Sequence, residues 1–244
     1  MVERFGAQRV IEPKGSIPIT AWRIDNRKEL YSDEIRLKVK IIHLEMDSFQ
    51  QIGSQCNYDA VKMKARIYDL IRKRGKLHNP FTNSGGILYG MVDEIGSRYE
   101  NSKHFVVGEE VMVITSLTGI PLYIQEIKNI DFHYGQIEVE GYCILFSGSP
   151  LIHRPQDLEI NYLLEAFDEA GTIYTISQEV TKGQRFLIIG RDILTIMLYS
   201  ATVKKGTQND CYIVGILDQK SVGSFQKKEI TEILTDFVDH IYIT

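Results

Sequence analysis

The chain lacks paired cysteines and long apolar runs, and both absences restrict what the protein can be. Cys56, Cys143 and Cys211 are widely spaced, with no Cys-x-x-Cys motif, which favours three buried thiols over a disulfide framework or a metal cluster. No apolar run approaches the roughly 20 residues that span a bilayer, and the N-terminus lacks a signal-peptide core. The sequence therefore predicts a cytoplasmic protein without membrane contact.

Clusters of positive charge are also absent. The chain has 28 Lys and Arg against 32 Asp and Glu, a net charge of −4, and no basic run that would indicate nucleic acid or an anionic membrane as a partner. Its tyrosines and phenylalanines are not interleaved with basic residues, which favours core and interface positions over a base-stacking platform. At 244 residues the chain suits one large domain or two small ones.

The first part of the chain is predicted to be mostly β. Short alternating segments separated by glycines are typical of a barrel rather than a parallel sheet, and they predict strands over 34–43, 87–95, 110–114, 122–127, 136–140 and 142–146. One helix interrupts them, with Asn57 as a candidate N-cap and Gly75 at its C-terminus; its apolar stripe is Met63, Ile67, Leu70 and Ile71. The basic end of this helix complements the helix dipole, and a phosphate-binding patch is the alternative.

The second part has the order of a βαβαβ unit. Asp157 can cap a helix whose apolar stripe is Leu158, Tyr162, Leu163, Ala166 and Phe167. Strands over 185–189, 211–217 and 240–243, with helices over 193–204 and 226–238, then predict a right-handed parallel sheet. This is one half of a doubly wound sheet, so strand 185–189 has an open apolar edge if it lacks a neighbour on one side. We expect another chain, or an unusual local arrangement, to cover this region. The predicted domains are 1–156 and 157–244.

The turn after Gly190 bears on cofactor binding. A pyrophosphate-binding turn needs three glycines, whereas Gly190 is followed by Arg191, Asp192, Ile193, Leu194 and Thr195, which add side chains and a negative charge. Asp218 follows the second predicted strand, where an acidic residue would bind a ribose diol; a solvated loop residue is the alternative. The sequence predicts either no cofactor or NAD held by unusual contacts.

Seven segments of the chain carry a resemblance to known proteins. The most specific is RGKLHNPFTNSGGILYGMVDEIG at 74–96. The others are RVIEPKG at 9–15, DSFQQI at 47–52, EIK at 126–128, GYCILF at 141–146, FDEAG at 167–171 and KGQRFLIIG at 182–190. Together they resemble the medium-chain dehydrogenase/reductase superfamily and, within it, the family of L-erythro-3,5-diaminohexanoate dehydrogenases of lysine fermentation. The resemblance implies an α/β chain with a GroES-like β-barrel domain and a Rossmann unit, which is incomplete here. It also implies oxidation of the 5-amino group of 3,5-diaminohexanoate with NAD.

The resemblance also suggests where a site would lie. The stretches that hold zinc in related alcohol dehydrogenases correspond to 45–49, 84–86 and 168–171, which contain no cysteine and no histidine, so no metal is expected. A zinc-free amine dehydrogenase needs carboxylates for a cationic diamine and a base for the departing proton. The candidates are Asp47 and Glu169, with Ser48, His78 and Asn79 as polar neighbours. The alternatives are a turn or helix cap at Asp47 and Ser48, a solvated helix end at Glu169 and a loop role for His78.

Two functional hypotheses follow. The first is a degenerate, non-catalytic relative of these dehydrogenases in amino-acid catabolism, which binds a small diamino acid or forms a homo- or hetero-oligomer. The alternative is an active NAD(H)-dependent oxidoreductase that oxidatively deaminates 3,5-diaminohexanoate or a similar diamino acid. Loss of the turn glycines and an early stop after the first Rossmann half favour the first hypothesis. A common fold does not by itself fix the function.

Overall fold

The computed structural model describes residues 4–100, 104–168, 171–190, 193–204, 210–215 and 240–243. Internal contacts divide the chain into two compact units, Met1–Glu169 and Ala170–Thr244. The domain boundary at residue 156 stays a prediction. Within the described residues, no helix is long and apolar enough to cross a membrane.

The first unit is built on a six-stranded antiparallel sheet with the order β6-β7-β3-β4-β5-β8. Two short strands, β1 and β2, pair separately. The eight strands are β1 (Val10–Glu12), β2 (Arg23–Ile24), β3 (Glu34–His43), β4 (Ile87–Ile95), β5 (Glu110–Val113), β6 (Leu122–Asp131), β7 (Gln136–Phe146) and β8 (Leu151–His153). The bounds predicted for β3 and β4 are confirmed. Apolar and polar residues alternate in β3, whereas β4 is a short, mostly apolar run that ends before Gly96.

The glycine at position 141 does not end a strand, so the prediction of two strands over 136–140 and 142–146 is wrong. An ideal Cβ on Gly141 would lie 2.2 Å from the carbonyl oxygen of Tyr123, so this glycine permits close contact with the neighbouring strand. The turn between β6 and β7 lies earlier and contains Gly135, whose φ of 63° is in the left-handed region. Strand β6 therefore runs on to Asp131.

Two helices follow β3. Helix α1 (Met46–Gln55) was not predicted, because its sequence is polar and contains Gly53; its buried face includes Phe49 and Ile52. Helix α2 (Ala60–Arg74) buries the predicted apolar stripe and ends at Gly75 in the left-handed conformation, as expected. Its N-cap is Asp59, whose carboxylate accepts a hydrogen bond from the Lys62 amide at 3.0 Å. The prediction of Asn57 as N-cap is wrong.

Helix α3 (Ile160–Phe167) packs on the sheet of the first unit. It begins after Glu159, so the prediction that Asp157 caps it is wrong. Leu163 and Leu164 are buried against Ile87 and Met112, whereas Leu158 and Tyr162 of the predicted stripe are exposed. Leu158 precedes the helix, and the buried face is formed by Leu163 and Leu164 with Ile160 and Phe167 packed beside them.

The second unit contains a parallel three-stranded sheet, as predicted. Its elements are α4 (Gly171–Glu179), β9 (Arg185–Gly190), α5 (Ile193–Lys204), β10 (Asp210–Gly215) and β11 (His240–Ile243). Helix α4 was not predicted, and the predicted helix over 226–238 lies outside the described residues. The chain is thus an α/β protein in which an antiparallel β unit precedes a βαβ unit.

The strand order of the second unit shows which element covers the edge of strand 185–189. The order is β10-β9-β11, so β9 is paired on both sides. Of the two expected ways of covering strand 185–189, the structure shows the local arrangement, because residues 240–243 of the same chain pair with it. The oligomer inferred from that edge stays a prediction without this support.

Candidate functional site

Five polar side chains join the first turn of α1 to the segment that precedes β4. We refer to Ser48, Gln51, Asn79, Thr82 and Ser84 as the Ser48 cluster. The Ser48 hydroxyl lies 2.6 Å from the Thr82 hydroxyl and 2.7 Å from the Ser84 hydroxyl. The Asn79 amide donates hydrogen bonds to Ser48 Oγ at 3.3 Å and to Gln51 Oε1 at 2.9 Å. Both Ser48 and Asn79 are buried, so the cluster fixes these two segments to each other.

The structure assigns different positions to the predicted neighbours Asp47 and Ser48. Ser48 is enclosed in the cluster, which gives it a positioning role rather than direct contact with a ligand. Asp47 is exposed in the first turn of α1, where its carboxylate interacts favourably with the helix dipole. The N-cap position itself belongs to Glu45. Asp47 is therefore the accessible carboxylate of this region.

His78 lies beside the Ser48 cluster in sequence and has its own partners. Its Nε2 donates to Asn83 Oδ1 at 2.6 Å, and its carbonyl oxygen accepts a hydrogen bond from the Arg74 guanidinium at 3.1 Å. The same guanidinium lies 4.4 Å from the centroid of the Trp22 ring. Burial lowers the pKa of His78, and the charges of Arg74 and Lys76 act in the same direction. These contacts favour a neutral His78 that orders the loop.

A histidine that the sequence did not single out lies at the end of β3. His43 is completely buried, with Nε2 3.6 Å from Asp168 Oδ2 and Nδ1 3.9 Å from Glu165 Oε1. Burial lowers the pKa of His43 to about 4, against a smaller opposing effect of the Tyr134 backbone. At neutral pH the imidazole is uncharged and adds no positive charge beside the two carboxylates. Sequence reasoning missed it because its neighbours come more than a hundred residues later.

Gly86 brings the segment after Ser84 against the end of β3. Its φ is +94°, and an ideal Cβ would lie 2.0 Å from the carbonyl oxygen of His43 and 2.9 Å from the amide nitrogen of Glu45. Only glycine fits this position without displacement of the backbone. The stretches 45–49, 84–86 and the C-terminal end of α3 therefore meet around His43.

The predicted metal and cofactor residues are only partly described. Glu169 and Asp218 lie outside the described residues. Among those that are described, no group of three or more His, Cys, Asp or Glu side chains is placed to hold a metal ion, and the absence of a metal stays a prediction. Gly190 is the last residue of β9 and pairs in register with Gly215 of β10.

The cofactor position has a suitable sheet order but unsuitable residues. The neighbours of β9 lie on opposite sides of it, and such a switch point is where nucleotides bind in open α/β sheets. If Gly190 is the first glycine of the G-x-G-x-x-G pattern, Asp192 and Thr195 take the places of the second and third. The pattern requires glycine at both positions, and Asp192 adds a negative charge. These residues do not fit a pyrophosphate.

Comparison with known protein families identifies the family to which the chain belongs. Residues 8–155 match the family model described as the L-erythro-3,5-diaminohexanoate dehydrogenase N-terminal domain. The chain belongs to this family, which confirms the resemblance seen in its sequence segments.

Two curated relatives carry the name of that enzyme. The L-erythro-3,5-diaminohexanoate dehydrogenase of Acetoanaerobium sticklandii is 33% identical over 214 residues, which cover 88% of this chain and 62% of the relative. The enzyme of the same name from Fusobacterium nucleatum is 36% identical over 187 residues, which cover 77% of this chain and 54% of the relative. The chain thus spans less than two thirds of either relative.

Solved structures align with the chain only at low TM-score and low identity. The alcohol dehydrogenase of Thermotoga maritima aligns with a TM-score of 0.40 and 10% identity, over 88% of this chain and 57% of that one. The CurF ER cyclopropanase of the curacin A pathway aligns with a TM-score of 0.37 and 16% identity, over 91% and 54%. TM-scores in this range support no inference about function.

Proposed function

We propose that the first unit binds a small cationic diamino acid of the 3,5-diaminohexanoate type. In this proposal the chain is a ligand-binding relative of the dehydrogenases with an impaired cofactor site, in amino-acid catabolism. The observation that carries the proposal is the convergence of three stretches around His43, with Asp47 accessible beside them. Family membership supports a role related to that of oxidoreductases.

The charges of the region suit an ammonium group. Glu165 and Asp168 bring two carboxylates beside a neutral imidazole, and Asp47 adds an exposed carboxylate on α1. A charge-assisted hydrogen bond from an ammonium to a carboxylate is about twice as strong as one between neutral groups. The Ser48 cluster and Gly86 hold the segment that carries Asp47. The proposed ligand therefore meets a negative and locally ordered surface.

The cofactor turn supports the non-catalytic part of the proposal. A dinucleotide would bring its pyrophosphate to the turn that follows Gly190, where Asp192 repels it and Thr195 replaces the glycine of helix–strand packing. No hydride-transfer step is therefore assigned to this chain.

An active NAD(H)-dependent oxidoreductase is the second candidate, and the strand order β10-β9-β11 favours it. This order places β9 at a switch point, which is the position of nucleotide sites in this class of sheet. The cofactor would then be held by contacts that replace those of the glycine turn.

Calorimetric titration of the purified protein with 3,5-diaminohexanoate and, separately, with NADH distinguishes the two candidates. We expect saturable diamino-acid binding, weakened about tenfold in Asp47→Asn through loss of one charge-assisted hydrogen bond. Asp157→Asn removes the same charge at another exposed position and is the matched control. Absence of diamino-acid binding would overturn the proposal. Micromolar NADH binding with turnover of the diamino acid would establish the second candidate.

A further inference from the structure

A cavity of about 450 Å³ lies in the first unit, and neither His43 nor Asp47 lines it. It is bounded by residues 8–11, by β2 with the residues that follow it, and by the C-terminal end of α2. No member of the Ser48 cluster lines it. Four arginines do: Arg9, Arg23, Arg27 and Arg72.

Two of these arginines have local carboxylate partners. The Arg9 guanidinium donates to Glu34 Oε1 at 2.8 Å, and that of Arg27 donates to Asp25 Oδ2 at 2.8 Å. For Arg23 and Arg72, the described part of the chain contains no carboxylate within 4.0 Å. Asp69, one turn before Arg72 on α2, interacts with Arg72 electrostatically but forms no ion pair with it. Arg23 and Arg72 are thus the two arginines of the cavity without an ion pair in the described part of the chain, whose full sequence has a net charge of −4.

The fold brings these two arginines to the same cavity through Gly75. The end of α2 lies so close to β2 that an ideal Cβ on Gly75 would be 2.1 Å from the carbonyl oxygen of Ile24. Arg23 adjoins Ile24, and Arg72 lies one turn before Gly75. The close contact between helix end and strand thus determines that both arginines border one cavity.

We propose that this cavity binds a phosphate monoester. The two guanidinium groups without an ion pair match the charge of a phosphate dianion, and the planar guanidinium can bind phosphate oxygens in a bidentate manner. The cavity volume is within the range of small-molecule sites, about 300–1,000 Å³, and exceeds what a bare phosphate needs. Tyr31 and Val10 line the remainder and would contact the organic part of the ester.

The competing explanation is a solvated basic helix end. Arg72 lies in the last turn of α2, where a cation interacts favourably with the helix dipole without any ligand. Arg23 does not share this role, because it lies on β2. A dependence of binding on both residues would therefore separate a site from a helix-capping charge.

The test is calorimetric titration of the full chain with inorganic phosphate and with phenyl phosphate, each at two salt concentrations. We expect both to bind, phenyl phosphate more tightly, and Arg23→Gln and Arg72→Gln each to weaken binding about tenfold through loss of a charge-assisted contact. Arg66→Gln is the matched control, because it makes the same charge change on the same helix outside the cavity. Circular dichroism would establish that each variant is folded.

Three outcomes would overturn the proposal. The first is no saturable binding of either probe. The second is an equal loss of binding in all three variants, which would indicate general electrostatic attraction that salt screens. The third is phenyl phosphate binding no tighter than inorganic phosphate, which would show that the cavity makes no favourable contact with the organic part of an ester. None of these outcomes depends on whether the chain binds a diamino acid.

Discussion

Arg9 and Glu34 form an ion pair that is almost completely removed from solvent, with exposed side-chain fractions of 1% and 0%. The remaining guanidinium hydrogens of Arg9 are donated to the carbonyl oxygens of Asp25, Arg27 and Glu29. The pair therefore ties the N-terminal segment and the loop before β3 to the sheet.

Replacement of one partner should leave the other charge buried without compensation. We expect Glu34→Gln to lower the free energy of unfolding by about 3–5 kcal/mol, measured by urea denaturation. The exposed pair Arg4–Glu100 provides the control, since Glu100→Gln should cost less than about 1 kcal/mol. Equal effects of the two substitutions would contradict the expectation that the buried ion pair contributes more to stability than the exposed one.

The buried imidazole of His43 should make stability depend on pH. Its pKa is about 4 in the folded protein, against about 6.5 in the unfolded chain, so the unfolded chain takes up a proton first as the pH falls. The free energy of unfolding should therefore decrease by about 2 kcal/mol between pH 7.5 and pH 5 through this residue. His43→Gln should remove that part of the pH dependence. A variant whose pH profile parallels the original protein would show that His43 does not contribute.

The Ser48 cluster should contribute to stability through its internal hydrogen bonds. Ser48→Ala removes a hydroxyl that contacts Thr82, Ser84 and Asn79, which leaves buried polar groups with fewer partners. We expect a loss of about 1–3 kcal/mol, measured by thermal unfolding. Ser54→Ala changes an exposed serine of the same helix and should have little effect. A similar loss in both variants would argue for helix propensity rather than the cluster.

Gly86 and Gly108 offer a matched comparison of steric contact. Both have positive φ, at 94° and 91°, but a Cβ on Gly108 meets nothing within 4 Å, whereas one on Gly86 meets the His43 carbonyl oxygen. Gly108→Ala should cost about 1–2 kcal/mol from backbone strain alone. Gly86→Ala should cost clearly more and should also weaken diamino-acid binding. Equal stability of the two variants would mean that the backbone at His43 adapts without cost.

The turn after Gly190 can be tested by restoring its glycine. Asp192→Gly removes both the negative charge and the side chain, and we expect it to strengthen NADH binding in calorimetry. Asp192→Asn removes only the charge and separates electrostatic from steric exclusion. If neither variant changes the affinity for NADH, the turn does not govern cofactor binding in this chain.

Local sequence patterns correctly predicted the helices and strands whose bounds depend on residues close together in the chain. The bounds of β3 follow from alternation and those of β4 from a short apolar run that ends before a glycine. The apolar stripe and Gly75 predicted the body and end of α2. Helix α1 was missed because packing of Phe49 and Ile52 stabilises a polar segment that propensity alone would not. Gly141 was misinterpreted because its reason is a neighbouring strand, not a turn.

Contacts between distant segments were outside the reach of these patterns. The sequence suggested Asp47, Ser48, His78 and Asn79 as site residues. Among these four, the structure joins only Ser48 and Asn79 by a direct side-chain hydrogen bond.

The sequence around His43 gave no signal of a site, because Glu165 and Asp168 approach this residue only after α3 packs on the sheet. The position of residues 240–243 beside β9 likewise depends on strand order, which periodicity does not encode.

The central position of β9 also bears on how the second unit is synthesised and folds. Residues 240–243 pair with a strand that precedes them by about fifty residues, so β9 presents one unpaired edge until they emerge from the ribosome. During that interval the nascent chain exposes an apolar strand that can associate with other unfolded chains. Chaperone dependence and yield on expression should therefore be sensitive to changes at residues 240–243, even though these residues lie far along the chain from the candidate site.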